Sequence, residues 1–268
     1  MPTGRSRRQQ PHAKPLRGAG VVVTRPAGTG TALALRVRGR GGRPVLLPGL
    51  ALRPAADAAA ASRALSAGAG VDIWIFSSPA AVRFAFRLLP TLRISSRAAV
   101  FGLGAGTRRA LARHRIDAAA PGGAGYSEIL LALAPLRRVR GLRIAVVGAP
   151  GGRGMIAATL RRRRAQVEEV AVYRRTAPRL TRRHFAALAR APSPLFTLLS
   201  SGEALANLVA VLPRTMLARL RRNVLVVSSA RLAAQARGHG FGRIVEAASA
   251  APDDLLEAVA TALARHGS

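Results

Sequence analysis

Six short polar turns are the part of this sequence best suited to chemistry. Each follows a short aliphatic run, precedes a segment with helical spacing, and contains serine, threonine or glycine. The turns are Thr24-Arg25-Pro26, Ser77-Ser78-Pro79, Gly102–Thr107, Gly148–Arg153, Ser200-Ser201-Gly202 and Ser228-Ser229-Ala230-Arg231. Where a strand ends and a helix begins, unpaired backbone N–H groups and the positive end of the helix dipole face the same point. Such turns favour carboxylates or phosphates.

Each turn also has a purely structural interpretation. Serine and threonine are ordinary N-caps, and one such cap stabilises its helix by about 1 kcal/mol. Any single serine is therefore better explained by capping than by binding. The recurrence of the turns in both halves of the chain is what favours an anion-binding function.

The motifs of common cofactors are incomplete. Gly102–Thr107 is similar to a dinucleotide fingerprint, but Thr107 stands where the spacing requires glycine. Gly148–Gly154 is rich in glycine and lacks the Gly-Lys-Ser/Thr ending of a nucleotide-binding loop. The histidines lack metal-ligand spacing, the acidic residues form no recognisable carboxylate pair, and the chain has no cysteine. We therefore expect no cofactor and no metal.

Short apolar runs alternate with Ala-, Leu- and Arg-rich helical segments from Gly20 onward. The runs predicted to form strands are Val21–Thr24, Val45–Leu47, Val71–Phe76, Ala98–Phe101, Ile144–Val147, Val167–Val172, Leu195–Leu199 and Val224–Val227. They are almost continuously apolar, which is typical of parallel strands covered by helices on both faces. The sequence therefore predicts an α/β fold that positions the polar turns at the carboxyl ends of strands.

Two extended runs interrupt this alternation and predict two lobes. Residues 47–54 and 170–178 each contain or end at proline, which biases the preceding residue toward extended conformations. Paired antiparallel, they would form a two-stranded connector at residues 48–53 and 170–176. The predicted division is a disordered basic tail (1–18), a discontinuous first lobe (19–47 plus 177–268) and an inserted second lobe (54–169).

The charge of the chain is strongly positive. Lys plus Arg number 43, of which only Lys14 is lysine, and Asp plus Glu number 11, so the formal net charge is +32. Such a charge attracts polyanions, whether nucleic acid, anionic membrane or a multiply charged substrate, although the arginine bias also fits codon composition. With no membrane-spanning run and no cysteine, we expect a soluble, cytoplasmic protein. We also expect it to be a monomer.

Several short blocks, in their order along the chain, resemble those of the uroporphyrinogen-III synthase family. They are Val22–Pro26, Ile75–Val82, Ser127–Leu130, Val172–Arg175, Ser200–Leu205 and Ser229–Arg231. Val227-Ser228 replaces the glycine that usually precedes the last turn, and serines stand where many relatives have threonines. The resemblance, over about residues 20–260, implies two doubly wound parallel-sheet lobes joined by a two-stranded β connector, with the substrate in the cleft between them.

The same resemblance implies a reaction without a cofactor. The family substrate is hydroxymethylbilane, a chain of four pyrroles with eight carboxylates. It loses its terminal hydroxyl, passes through a spiro intermediate that inverts the last pyrrole, and closes to uroporphyrinogen III with release of water. Because closure without inversion competes, the main task of the enzyme is to position the chain.

The resemblance also assigns roles to particular residues. Tyr173 matches the family tyrosine and can donate a hydrogen bond to the departing hydroxyl; the alternatives are that its ring only packs at the lobe junction, or that Tyr126 acts instead. The residues expected to bind substrate are Thr24, Arg25, Ser77, Ser78, Thr107, Ser127, Arg153, Ser200, Ser201, Ser228 and Ser229.

Two other functions fit parts of the sequence. A nucleic-acid-binding protein would explain the charge, but the arginines are dispersed, aromatic residues are few and no groove-reading motif is present. We therefore expect nonspecific polyanion binding at most, and no specific nucleic-acid partner. A two-lobed binding protein for a small anionic metabolite would share the architecture without needing Tyr173.

Overall fold

The computed structural model describes residues 14–121, 126–151 and 154–265 of the 268-residue chain. These residues fold as two compact units. The first unit combines the residues up to Ala51 with those from Thr176 onward, and the second extends from Leu52 to Arg175. None of the described helices is both long enough and apolar enough to cross a membrane.

A five-stranded parallel sheet forms the centre of the first unit. Its strands are β1 (Gly20–Val23), β2 (Arg43–Leu46), β9 (Leu195–Leu199), β10 (Val224–Val227) and β11 (Ile244–Glu246). They lie in the order β11-β10-β9-β1-β2, and all four pairings are parallel. Because β1 pairs with β9, the start of the chain and its second half share one sheet.

Helices cover both faces of this sheet, as the apolar runs predict. They are α1 (Thr31–Gly39), α8 (Arg182–Ala189), α9 (Gly202–Val211), α10 (Arg214–Arg222), α11 (Ala230–Gly238) and α12 (Pro252–Ala264). Val22 of β1 packs with α8 to α11 on one face, whereas Val21 and Val23 pack with α1 and α12 on the other. Alternate side chains of one strand thus enter two separate cores.

The second unit repeats this plan with four parallel strands. They are β4 (Ile73–Phe76), β5 (Ala99–Gly102), β6 (Arg143–Gly148) and β7 (Gln166–Ala171), in the order β5-β4-β6-β7. Its helices are α2 (Ala58–Ser66), α3 (Pro79–Leu88), α4 (Ala105–Ala112), α5 (Tyr126–Ala132), α6 (Ala134–Arg137) and α7 (Met155–Arg162), with a 3₁₀ turn at Ala67–Gly70. Trp74 and Phe76 enter one core, and Ile73 and Ile75 the other.

The connector is a small antiparallel sheet of β3 (Ala51–Pro54) and β8 (Tyr173–Thr176). The predicted fold class, two doubly wound parallel sheets with a two-stranded connector, is therefore confirmed. Both connecting segments are shorter than the proline-bounded runs suggested. Leu50 is buried in the first unit, where its carbonyl accepts a hydrogen bond from Ala27 N (2.8 Å), and residues 170–171 belong to β7.

The basic tail was predicted to extend to residue 18, and this boundary is wrong. Leu16 is fully buried in the core that contains Val21, Val37 and Phe196. Its backbone N–H donates to the carbonyl of Arg40 at 2.9 Å. Residues 14–18 are therefore part of the first unit, and the rest of the predicted tail lies outside the described residues.

Just after the end of α7, Arg164 has a left-handed backbone conformation that favours glycine. Arg164 has φ 63°, while Arg164 N donates to Arg161 O and Ala165 N donates to Leu160 O. This is a Schellman cap, in which the left-handed residue is usually glycine because a Cβ atom is unfavourable there. The equivalent residue after α1 is Gly41, with φ 87°.

We therefore expect Arg164→Gly to raise the free energy of unfolding by about 1 kcal/mol, the approximate cost of a left-handed non-glycine residue. Arg162→Gly is the matched control, because it places glycine at the last right-handed position of α7 and should instead cost up to about 1 kcal/mol. Urea denaturation of both variants measures the difference. Destabilisation by Arg164→Gly would show that the arginine side chain outweighs the backbone strain.

Candidate active site

The polar turns of the first unit come together at the carboxyl edge of its sheet. β10, β9 and β1 are neighbours and run parallel, so the turns that follow them meet at one edge. From β1 the chain continues to β2 on one side, whereas from β9 it continues to β10 on the other. The boundary between β1 and β9 is a topological switch point, where ligands of open α/β sheets bind.

The serine pairs at this edge divide into capping and open positions. Ser201 Oγ accepts a hydrogen bond from Ala204 N (3.3 Å), and Ser229 Oγ accepts one from Leu232 N (3.4 Å). These two serines therefore cap α9 and α11. Ser200 and Ser228 are half-buried, and neither hydroxyl makes a hydrogen bond within the part of the chain that the structure describes. Each pair thus presents one unused hydroxyl beside a helix N-terminus.

The turn after β1 is held by contacts within the first unit. Thr24 is buried, and its Oγ1 donates to the carbonyl of Leu198 at 2.6 Å, which joins the ends of β1 and β9. Arg25 is half-buried, and its Nη2 donates to the carbonyl of Ala250 at 2.6 Å. The hydroxyl of Thr24 therefore has a structural partner, while Arg25 lies beside the switch point in a fixed position.

The second unit has its own switch point between β4 and β6. From β4 the chain continues to β5, and from β6 it continues to β7 on the opposite side. Ser77 follows β4, and its N–H donates to the carbonyl of Val147 in β6 at 3.0 Å. Gly148 ends β6, and a Cβ atom there would collide with Ser77 Oγ. Glycine at this position leaves room for the serine hydroxyl.

Ser78 joins a helix cap to the predicted catalytic tyrosine. Its Oγ accepts the N–H of Ala81 at 3.0 Å, which caps α3, and lies 3.2 Å from Tyr173 Oη. Tyr173 is 6% exposed, and its ring stacks on that of Phe84, with ring centroids 5.4 Å apart. Because Ser78 Oγ keeps its own hydrogen after accepting from Ala81, it can donate to Tyr173 and leave the phenolic hydrogen for a ligand.

The remaining predicted residues have different environments. Thr107 lies in the first turn of α4 and is 3% exposed. Ser127 is half-buried near the start of α5, and Arg153 lies outside the described residues. No cluster of three or more metal-ligating side chains is found among residues 14–121, 126–151 and 154–265.

Arg175 is a candidate that the sequence-based prediction missed. It lies two residues after Tyr173 on β8, so both side chains point to the same face of that strand. Its Nη2 donates to the carbonyl of Pro150, in the turn after β6, at 3.1 Å. The spacing of two within an extended run was the available signal for this arginine.

Comparison with known proteins gives one family. The family model of uroporphyrinogen-III synthase (HemD) matches residues 31–257. A triple-mutant uroporphyrinogen III synthase from the extreme thermophile Thermus thermophilus is similar in structure, with a TM-score of 0.56 and 19% identity over 92% of this chain and 99% of that chain. Uroporphyrinogen-III synthetase from Helicobacter pylori gives a TM-score of 0.57 and 15% identity over 92% and 99% of the two chains. At these identities the two structures show a shared fold.

Proposed function

The chain belongs to the uroporphyrinogen-III synthase family of tetrapyrrole biosynthesis, and we propose that it cyclises hydroxymethylbilane to uroporphyrinogen III. The observation that carries this proposal is the repeated Ser-Ser turn at the carboxyl edge of both sheets. At each turn one serine caps a helix and its neighbour is half-buried next to unpaired N–H groups. This arrangement suits a substrate with many carboxylates.

We assign carboxylate binding to the open serines Ser77, Ser200 and Ser228, assisted by the N-termini of α3, α9 and α11. Arg25 and Arg175 add positive charge at the two edges, where their hydrogen bonds to Ala250 O and Pro150 O hold them in place. Fixed donors lose little freedom when substrate binds, so they favour one conformation of the flexible tetrapyrrole. That selection is what the inversion of the last pyrrole requires.

Tyr173 is proposed as the donor to the departing hydroxyl. As the C–O bond breaks, the hydroxyl gains electron density, and a hydrogen bond from the phenol stabilises it more than it stabilises the intact substrate. The phenolic proton passes along this hydrogen bond to the departing oxygen, which leaves as water, and the proton released by the pyrrole carbon after the final ring closure restores the phenol. Ser78 fixes the orientation of the phenol through the 3.2 Å contact.

The direct test is to supply hydroxymethylbilane to the purified protein, oxidise the product and separate isomers III and I by chromatography. We expect isomer III to form at the same rate with and without a metal chelator, and without added nucleotide or flavin. Activity that is lost with chelator and restored by one metal would overturn the cofactor-free mechanism. Binding of the tetrapyrrole without turnover would instead identify a two-lobed binding protein for anionic metabolites.

A further inference from the structure

A group of exposed arginines lies at the amino edge of the sheet in the second unit, opposite the serine turns of that unit. We call it the basic edge and define it as Arg138, Arg140, Arg143, Arg161, Arg162 and Arg164, all of which are exposed. Arg143 begins β6 and pairs with Gln166, which begins the neighbouring β7. The other members lie in the segments that lead into these two strands.

Backbone hydrogen bonds hold these segments together. Gly141 N donates to Arg164 O at 2.9 Å, and Gln166 N donates to Leu142 O at 2.9 Å. Arg143 N donates to the carboxylate of Asp72 at 2.8 Å, which ties the same loop to the start of β4. The backbone positions of the segments that carry these arginines are therefore fixed relative to one another.

The nearby carboxylates do not balance this charge. Glu169 pairs with Arg161 at 2.8 Å, Asp72 accepts the backbone N–H of Arg143, and Glu168 lines a shallow groove of about 370 Å³ with Arg143. Four guanidinium groups make no hydrogen bond or ion pair with any described residue: Arg138, Arg140, Arg143 and Arg164. Arg164 also keeps its side chain at a backbone position that favours glycine.

We propose that the basic edge binds the phosphate backbone of double-stranded nucleic acid without sequence specificity. Guanidinium groups match phosphate oxygens in two-point hydrogen bonds, and such contacts position a duplex without reading its bases. Residues 127–172 contain no aromatic side chain, so the edge lacks the stacking surface that a single strand requires. The large apolar side chains exposed in the described residues are Leu35, Leu46, Met155 and Val211, and none belongs to this edge, which disfavours membrane insertion.

The position of the edge separates this binding from catalysis. In the second unit, the serine turn and Tyr173 are associated with the carboxyl ends of the strands, whereas the basic edge surrounds their amino ends. Duplex and tetrapyrrole should therefore bind at the same time. This inference does not depend on the proposed reaction, and either can fail without the other.

The test measures affinity for a short DNA duplex by fluorescence anisotropy across a salt series. The affinity falls as salt is added, so the slope of log affinity against log salt is negative, and each phosphate contact contributes about −0.9 to it. Replacing Arg138, Arg140, Arg143 and Arg164 together by glutamine should make this slope shallower by about 3 to 4. The matched control replaces Arg179, Arg182, Arg183 and Arg214, which are exposed residues of the first unit, and should change the slope by less than about 1. Both variants should form isomer III at the wild-type rate.

Three outcomes would overturn the proposal. The duplex could fail to bind, or both sets of substitutions could weaken it equally, which would show that binding follows total charge. Alternatively, polyglutamate or phosphatidylserine vesicles could require the four arginines while the duplex does not, which would assign the edge to another partner class. If the fourfold variant does not fold, Arg164→Gly alone keeps the test open: its slope should become shallower by about 1 while its stability rises.

Discussion

Replacing Tyr173 by phenylalanine is expected to lower kcat for isomer III by about 10²-fold, the lower range of effects for a positioned proton donor. KM should change much less, because the hydrogen bond is proposed to strengthen only as the hydroxyl departs. The substitution keeps the aromatic ring, so its stacking on Phe84 and its place in the buried core should survive. The measurement is steady-state formation of isomers III and I, with the fraction of isomer I rising as the enzyme slows.

Tyr126→Phe is the matched control, since the chain has two tyrosines. It should leave kcat unchanged, and a loss of kcat in this variant instead of in Tyr173→Phe would move the role to Tyr126.

Ser78→Ala should lower kcat, as Tyr173→Phe does, because it removes the contact that orients the phenol. Ser78→Ala also removes the cap of α3, so Asp57→Ala, which removes the cap of α2, serves as the comparison. Asp57→Ala should lower the free energy of unfolding by a similar amount, about 0.5–2 kcal/mol, without slowing the reaction.

The central strands could be predicted from the sequence because their local signal is strong. Leu195–Leu199 and Val224–Val227 are continuous apolar runs, and the predicted bounds match β9 and β10. β11 was missed because Ile244–Glu246 has three residues, ends in a charge and is only partly buried. Its strand conformation depends on pairing with β10, a tertiary contact without a local pattern.

The candidate site shows a similar division between local and distant contacts. Ser78, Ser201 and Ser229 act as N-caps, which the sequence suggested because a cap involves residues three positions apart. The contact of Ser78 with Tyr173 joins residues 95 positions apart, and that of Thr24 with Leu198 joins residues 174 positions apart. No spacing rule predicts contacts at such separations, so the partners of Tyr173 and Thr24 required the folded structure.

Leu16 was assigned to a basic tail for the same reason. It stands alone among charged and small residues, so neither a helical nor a strand period marks it as buried. In the fold, the backbone hydrogen bond to Arg40 places Leu16 at the end of α1, and its side chain enters the core formed by α1, α12 and the sheet. Together with the buried Ala19, this side chain attaches the segment that precedes β1 to the core.

We therefore expect Leu16→Ala to lower the free energy of unfolding of the first unit by about 2–5 kcal/mol, the usual range for a buried leucine replaced by alanine. Leu35→Ala is the matched control: Leu35 lies on α1 but is 58% exposed, and its loss should change stability by at most about 0.5 kcal/mol.

Two truncations test the same point. Removal of residues 1–13 should leave the free energy of unfolding unchanged, whereas removal of residues 1–17 should lower it at least as much as Leu16→Ala does. Urea denaturation followed by circular dichroism measures the stability of the two substituted and the two truncated proteins. The unfolding transition that shifts to lower urea identifies the unit that contains Leu16. Equal stability of the two truncated proteins would contradict the burial of Leu16 and restore the longer tail.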